Sequence, residues 1–447
     1  MSGYRCLHRE SLFPNGAIWN FAASPLLKPS RSFATNDNDI VWRAYVACSD
    51  GMVRMYQVQE TSLQSKQESL DASALRVQLS HILVGTAQQE YLQEQPPSHE
   101  TTRQTTLLGC SQVSTVRNYQ GDDDTAGDLV VLSMDMAGKI RIWTLDEHFD
   151  KDGTGRANTP TTETEALAKQ MRAKTEFIVD KATGTTAVLL PPKLAGGITS
   201  TPGSKYNASV VAAAVGCLDG TVAIVSTGVM VPNKVQDAET STDNKDADTT
   251  AQIQAGAVLE QWGNPGSAIP LSLCWHPKQT ARLAVGRKDG IVDILSSVNS
   301  SKRTKHRLVR HKKPVRAVSY TDDGHLLITG DDNGLLCVWD TSHDATPVLV
   351  RHVISAHASW IVSVATLADS RRFVTAGADQ KLHVWDLEHQ QMQQPCHTFQ
   401  TEHSIWTIHY YHPPQNETSL AASKSKRSGG RLISGSDSGW MQLYSVD

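Results

Sequence analysis

The stretch RFVTAGADQKLHVW, residues 372–385, decides the fold. It holds two apolar runs separated by a small polar pair, Asp379 and Gln380. The second run alternates apolar and polar residues with period two, as a strand buried on one face does. Two such runs around a tight turn make a β-hairpin. The same pattern recurs as SDGMVRMY (49–56), MAGKIRIW (136–143), LDGTVAIV (218–225), KDGIVDIL (288–295), DNGLLCVW (332–339) and DSGWMQLY (437–444). Glycine stands second in the turn pair everywhere except at Gln380. Asp-Gly and Asn-Gly supply the positive φ angles of a type I′ turn, so type I′ hairpins are expected. An apolar strand precedes each turn, from AYVACS in the first unit to RLISGS in the last.

Seven hairpins in one chain argue against a helical architecture. The last four units are 44, 46 and 59 residues apart, measured at Asp289, Asn333, Asp379 and Ser438. Two of those spacings lie near the roughly 40–45-residue period of a WD40 blade. The earlier spacings are longer, and the excess is polar and turn-rich, as in VQDAETSTDNKDADTTAQ, which marks inserted loops. The expectation is an all-β, seven-bladed WD40 β-propeller spanning 1–447. Its blades fall at roughly 14–85, 107–180, 185–262, 265–310, 311–356, 357–402 and 403–447 plus 3–13. Polar insertions lie near 86–106, 146–175, 230–255 and 413–430. The last unit stops after its third strand, and YRCLHRESLF (4–13) is an extra strand-like segment ahead of the first blade. Residues 3–13 are therefore expected to complete the last blade and close the ring, covering an otherwise open edge.

The 447 residues are 39% hydrophobic and 20% charged, with a net charge of −4. No global basic field favours duplex binding. The seven cysteines form no C-x-x-C pair, which disfavours a zinc ribbon or redox motif and suits a reduced intracellular compartment. No apolar run reaches eighteen residues, so no membrane span is expected.

Histidine beside hydroxyl residues raises the question of catalysis. His357 precedes SWIVSVA, His311 precedes KPVRAVS and His403 precedes SIWTIHY. Each accompanies a hydroxyl (Thr375, Thr329, Ser434), a turn residue (Asp379, Asn333, Ser438) and an aromatic (Trp385, Trp339, Tyr444). A catalytic triad is needed once, in a pocket. A set repeated blade after blade is a structural hydrogen-bond network, complete in blade 6 and with Asn or Ser replacing Asp in blades 5 and 7. No phosphate loop, H-E-x-x-H pattern or Cys/His cluster is present, so no enzyme activity, cofactor or metal is expected. The histidines of HYYHPP (409–414) lack a third ligand.

These residues resemble the WD40 repeat, with VWD at 338–340 and 384–386 its clearest signatures. The segment AHASWIVSVA, together with FVTAGADQKLHVWDLEHQQMQQPCHTFQTEHSIWTIHYY, is similar to the closing blades of the WD-repeat subunit family of the superkiller complex. GAIWNFAAS and VACSDGMVRMY resemble that family's first blade, and the resemblance covers about 265–447 and 3–60. It implies a non-catalytic scaffold supporting exosome-linked 3′-to-5′ mRNA decay, in cytoplasm and nucleus, with a further role in transcription elongation through the Paf complex. The implied partners are a tetratricopeptide-repeat scaffold and an RNA helicase. A substrate adaptor or histone-tail reader of another nuclear complex is the competing reading, and it needs an acidic cage at the central channel.

Aligning the inner strands places Trp19, Trp360 and Trp406 at one position, with Gln112, Ile269 and Pro314 as equivalents in other blades. Tryptophans on the adjacent blades 6, 7 and 1 make a candidate partner patch; the bland alternative is packing between blades. SSKRTKHRLVRHKK (300–313) carries seven Lys/Arg but no interleaved aromatics. It reads as a solvated, protected strand edge rather than a nucleic-acid track.

Overall fold

The turns form differently from the type I′ expectation. Only the last loop residue has positive φ: +87° at Gly51, +76° at Gly138, +90° at Gly220, +86° at Gly290, +72° at Gly334, +65° at Gln380 and +76° at Gly439. In the first hairpin Gly51 N donates to Cys48 O at 3.0 Å, and Cys48 N donates to Met52 O at 3.1 Å. That is a type I turn closed by a left-handed residue in a G1 bulge. The aspartate explains the choice. At its right-handed position Asp50 accepts from Met52 N, Asp219 from Thr221 N and Asp289 from Ile291 N, at 3.1, 2.9 and 3.1 Å.

The computed structural model of the protein describes residues 4–13, 16–25, 40–60, 75–85, 110–117, 129–145, 169–179, 184–190, 210–230, 254–279, 282–296, 303–342, 346–388, 392–411 and 430–446. Every regular element among them is a strand, and the strands form seven sheets. The inner strands, one per blade, are β2 (Ile18–Pro25), β6 (Cys110–Arg117), β11 (Gly184–Leu189), β15 (Pro270–Trp275), β19 (Val315–Tyr320), β23 (Ile361–Thr366) and β27 (Ile405–Tyr411). Each pairs antiparallel with a buried second strand, such as β7 (Leu129–Asp135), β20 (Leu326–Asp331) or β24 (Arg372–Gly377). Those second strands are apolar on both faces because each blade is packed against two neighbours. Seven buried apolar clusters occupy the seven seams; one joins Val130, Leu132 and Ile142 of blade 2 to Ala187, Val211 and Ala213 of blade 3.

Ring closure is as the alternation predicts. β1 (Tyr4–Ser11) is the outer strand of blade 7, antiparallel to β29 (Trp440–Val446), with Tyr4 opposite Val446 and Ser11 opposite Trp440. Arg372 of blade 6 donates to Val446 O at 2.7 Å and to the Tyr4 hydroxyl at 3.1 Å, tying both chain ends to the next blade. Side-chain oxygens link neighbouring inner strands around the channel. Thr115 donates to Ala23 O, Thr185 to Pro270 O, Ser272 to Val315 O and Thr366 to Tyr320 O, while Ser114 accepts from Leu189 N and Ser363 from Ile408 N. At the closing seam between blades 7 and 1, Trp42 instead stacks on Tyr411 with centroids 5.1 Å apart.

The insertion expected at 146–175 ends in regular structure. Lys169–Arg172 (β9) adds in parallel to the outer strand Leu75–Val84 of blade 1, and Thr175–Ile178 (β10) is the outer strand of blade 2. Trp143 Nε1 donates to Met171 O at 3.1 Å and helps hold this crossing.

Candidate functional site

Two structures meet where the inner strands begin: a hydrogen-bonded histidine network and the rim of the channel. In blade 6 the His357 ring lies 2.9 Å from Asp379 through Nδ1 and 2.7 Å from the Thr375 hydroxyl through Nε2. Trp385 Nε1 donates to the same hydroxyl at 2.9 Å. Indole donates only and carboxylate accepts only, so a neutral imidazole carrying its proton on Nδ1 uses each group once. Burial raises the Asp379 carboxyl, but the hydrogen bonds it accepts from His357 and Ala358 N outweigh it and hold the group below its usual range.

Blade 5 builds the same chain with a different acid. His311 bonds Asp331 at 3.0 Å and Thr329 at 2.8 Å, and Trp339 Nε1 donates to Thr329 at 3.0 Å. Asn333, read from the sequence as the turn member, joins the network through its backbone N–H, which donates to Asp331 Oδ1 at 2.9 Å, and not as its acid. Asp331 is opposite Val315 as Gly377 is opposite Ile361, so the carboxylate has moved two residues upstream. Gly377 makes the blade 6 arrangement possible: a Cβ there would lie 2.2 Å from His357 Nδ1 and 2.3 Å from Asp379 Oδ1. Blade 7 does not build the set. His403 stacks on Trp440 at 6.4 Å, and the Tyr444 hydroxyl donates to Gln442.

His357, Asp379 and His383 bring three ligand atoms within 4.8 Å of one another. Both His357 nitrogens and the carboxylate are already engaged, and His383 Nδ1 is 2.8 Å from Thr398 Oγ1. A cation there would have to dismantle the blade, so the residues do not fit a metal. Of HYYHPP, His409 lies on β27, where burial pushes it down to about 4, and His412 lies outside the described residues.

The rim is organised by bulges. Every inner strand has an irregularity directly after its first residue. The extra residues are Trp19, Ser111, Thr185, Leu271, Arg316, Val362 and Trp406, one per blade. This corrects the expected alignment: Trp19 and Trp406 are bulge residues, whereas Trp360 lies ahead of the strand. Its true equivalents are Ile269 and Pro314. All three carbonyls accept from the first turn residue of their blade, from Lys288 N, Asp332 N and Ala378 N at 2.9, 3.0 and 3.0 Å. Gln112 falls one residue beyond its bulge. Apolar alternation cannot separate IW from WI at the point where a bulge breaks the period of two.

The tryptophans nevertheless share one face on consecutive blades. Trp360 is 41% exposed, Trp406 37% exposed and Trp19 half-buried, so none is sealed between blades. The Arg316 guanidinium lies 4.8 Å over the Trp360 ring while its Nε and Nη2 donate to Asp332 at 2.7 and 3.1 Å. No motif marks this cation, because its partners come from a turn and from the next blade.

Several cations of the basic run have internal partners. Arg303 stacks on Trp262 of blade 3 and pairs with Glu260 at 2.5 Å. Lys305 and Arg307 approach the buried Asp293 at 3.0 and 3.5 Å.

The family described as WD domain, G-beta repeat matches residues 302–340 and 349–386, ending on the tryptophan-bearing strands of blades 5 and 6. LEC14B protein of Lithospermum erythrorhizon is 27% identical over 115 residues, 26% of this chain and 24% of that protein. WD repeat-containing protein 1 of Mus musculus is 30% identical over 124 residues, 28% of this chain and 20% of that protein. Apoptotic protease-activating factor 1 of Rattus norvegicus is 34% identical over 77 residues, 16% of this chain and 6% of that protein. The chain thus spans less than a quarter of the length of these relatives. Among solved structures, the WD40 beta propeller domain of Doa1 covers 100% of this chain, with 98% of its own length matched, a TM-score of 0.51 and 12% identity. No described helix is long and apolar enough to cross a membrane. The chain is a seven-bladed β-propeller in which residues 302–340 and 349–386 match the WD40 repeat.

Proposed function

We propose that the protein is a non-catalytic interaction scaffold that docks a partner on the face where the inner strands begin. The observation that carries this reading is the exposure of Trp360 and Trp406 on neighbouring blades. Large half-exposed aromatics are the residues that dominate interface energetics. The histidine–hydroxyl sets are occupied by structural bonds, which removes the strongest catalytic candidate.

Within that reading, the chain is the WD-repeat subunit of a superkiller-like complex, supporting 3′-to-5′ mRNA decay in the cytoplasm, with a nuclear role in transcription elongation. Its partners are a tetratricopeptide-repeat scaffold and an RNA helicase. The support is the resemblance of residues 265–447 and 3–60 to that family. A lysine-reading adaptor needs carboxylates at the channel mouth, and the seven bulge residues include none.

Affinity purification of the tagged full chain with mass spectrometry tests this reading. Recovery of a helicase and a tetratricopeptide protein, lost with Trp360→Ala plus Trp406→Ala while thermal unfolding stays cooperative, is the expected result. Recovery of a ubiquitin-ligase or methyltransferase core would overturn the complex assignment.

A further inference from the structure

The face around the channel mouth has two sectors. Blades 6, 7 and 1 present the tryptophans, and blades 2 and 3 continue the apolar surface with Met136 and Leu218, the first turn residues of their hairpins, which are 60% and 55% exposed. Blades 4 and 5 present cations instead. Lys288 opens the blade 4 turn, and Lys312 and Lys313 precede β19; all three are exposed and make no ion pair among the described residues. The carboxylates beside them are engaged, Asp332 by Arg316 and Asp289 Oδ1 by Ile291 N. Arg316 stands at the junction of the sectors. Its plane covers Trp360, Asp332 holds two of its nitrogens, and Nη1 is left without a partner.

We propose that this face takes a linear peptide segment of a partner protein in which a bulky apolar side chain is followed closely by an acidic residue. The apolar side chain seats against Trp360 and Trp406. The carboxylate sits on Arg316 Nη1 beside Lys312 and Lys313. Guanidinium already stacked and oriented loses little freedom on pairing a carboxylate, so the junction is preorganised. A polyanion fits less well. The blade 7 side of Trp406 carries the exposed Asp437, which repels a continuous phosphate backbone but leaves room for a single carboxylate, while Glu402 there is paired with Arg9 at 2.6 Å. In the basic strand below, Arg303 is paired with Glu260, and Lys305 and Arg307 share Asp293 with Arg287.

This inference rests on the docking reading above, and the test separates the two. A phage-displayed library of random linear peptides is panned against the full chain, and enriched peptides are measured by fluorescence anisotropy. Enrichment of Asp or Glu beside Leu, Phe or Trp is expected, with affinity falling about tenfold in Lys312→Glu plus Lys313→Glu and falling as salt rises. Both lysines are exposed, so the variant tests charge rather than folding. Peptides that lose binding in Trp360→Ala but show no acidic preference would overturn this inference and leave the docking reading standing. Peptides indifferent to Trp360→Ala and Trp406→Ala would overturn both. A labelled single-stranded oligouridine RNA that competes with the peptides, and is lost in the lysine variant, would assign the cations to nucleic acid and overturn the inference.

Discussion

Blades 5 and 6 and blades 1, 2 and 4 face the same physical problem at their channel-mouth ends and solve it with different chemistry. In blades 5 and 6 a histidine from the loop before the inner strand bridges a carboxylate and a threonine, and tryptophan supplies the last donor. In blade 2 Asp135, at the position of Asp331, pairs with Arg141 of the third strand at 2.9 Å. Blade 4 inverts that pair, with Arg287 at the position of Asp135 and Asp293 at the position of Arg141, 2.6 Å apart. Blade 1 uses Arg54 against Asp50 at 2.7 Å. The histidine chain reaches back to the lead-in loop, whereas the ion pairs are built from strand ends and turns. These five blades therefore satisfy a polar cluster at this place with different sets of residues, whereas blade 3 sets Cys217 and Ala223 at the corresponding positions.

The blade 4 pair is most vulnerable at Asp293, whose side chain is fully buried. Asp293→Ala leaves Arg287 buried without its partner and is expected to lose about 3–5 kcal/mol in chemical denaturation. The sharper form is the double exchange Arg287→Asp plus Asp293→Arg, which gives blade 4 the order of blade 2. It should recover part of the single-variant loss. Recovery stays incomplete because Arg287 Nη1 also donates to Gly220 O and Ala268 O, at 2.9 and 2.7 Å. If the double exchange is no better than the worse single variant, the two blades are not interchangeable solutions.

The histidine network fails more gently. Thr375→Val keeps the shape but removes the acceptor of Trp385 and the donor to His357, at an expected cost of about 1–3 kcal/mol. Thr329→Val should cost the same within error, since blade 5 repeats the geometry. A loss above that of Asp293→Ala in the same denaturation series would reverse the ranking of the two chemistries.

Acid separates the regions again. Burial, the largest cause, pushes His383 down to about 4. Above its ordinary 6.5 the folded and unfolded chains are equally unprotonated and nothing changes. Below 6.5 only the unfolded chain takes up the proton, so this group's share of stability declines until about 4. Asp379, held below the usual carboxyl range, contributes above its ordinary value and is lost only as pH falls through the lower folded one. Blade 2 carries no histidine among the described residues. Hydrogen exchange corrected for intrinsic rates should show β24 and Lys381–Asp386 losing protection between about pH 6.5 and pH 4 ahead of β7. Equal loss in both would refute the assignment.

Sequence alternation was enough to show the hairpins, their number and the strand that closes the ring, because each depends on local period and turn residues. What stayed hidden depended on three-dimensional replacement. Asp331 and Asp379 look like unrelated turn residues until Gly377 is seen to leave the space that the second one fills. The ion pairs of blades 2 and 4 share no residue type at either position, so no repeat search aligns them. β9 reads as insertion because a short strand on an outer edge needs no apolar alternation of its own. The tryptophans were found, but their register was not, since a bulge is invisible to periodicity.

The smallest expected effect is at the turn where the pattern lapses. Six hairpins close with glycine in the left-handed region, and blade 6 closes with Gln380 at φ +65°. An L residue there carries a steric penalty of about 1–2 kcal/mol, partly offset because glycine would loosen the unfolded chain. What the next loop uses at this residue is backbone: Gln380 O accepts from Thr401 N at 2.9 Å and from Thr401 Oγ1 at 2.8 Å. Glycine preserves both bonds. Gln380→Gly is therefore expected to stabilise the protein by about 0.5–1 kcal/mol in thermal or chemical denaturation. Gln380→Val should destabilise it, because β-branching resists positive φ. If glycine destabilises instead, the glutamine side chain supports blade 6, and this turn differs from its six counterparts in more than strain.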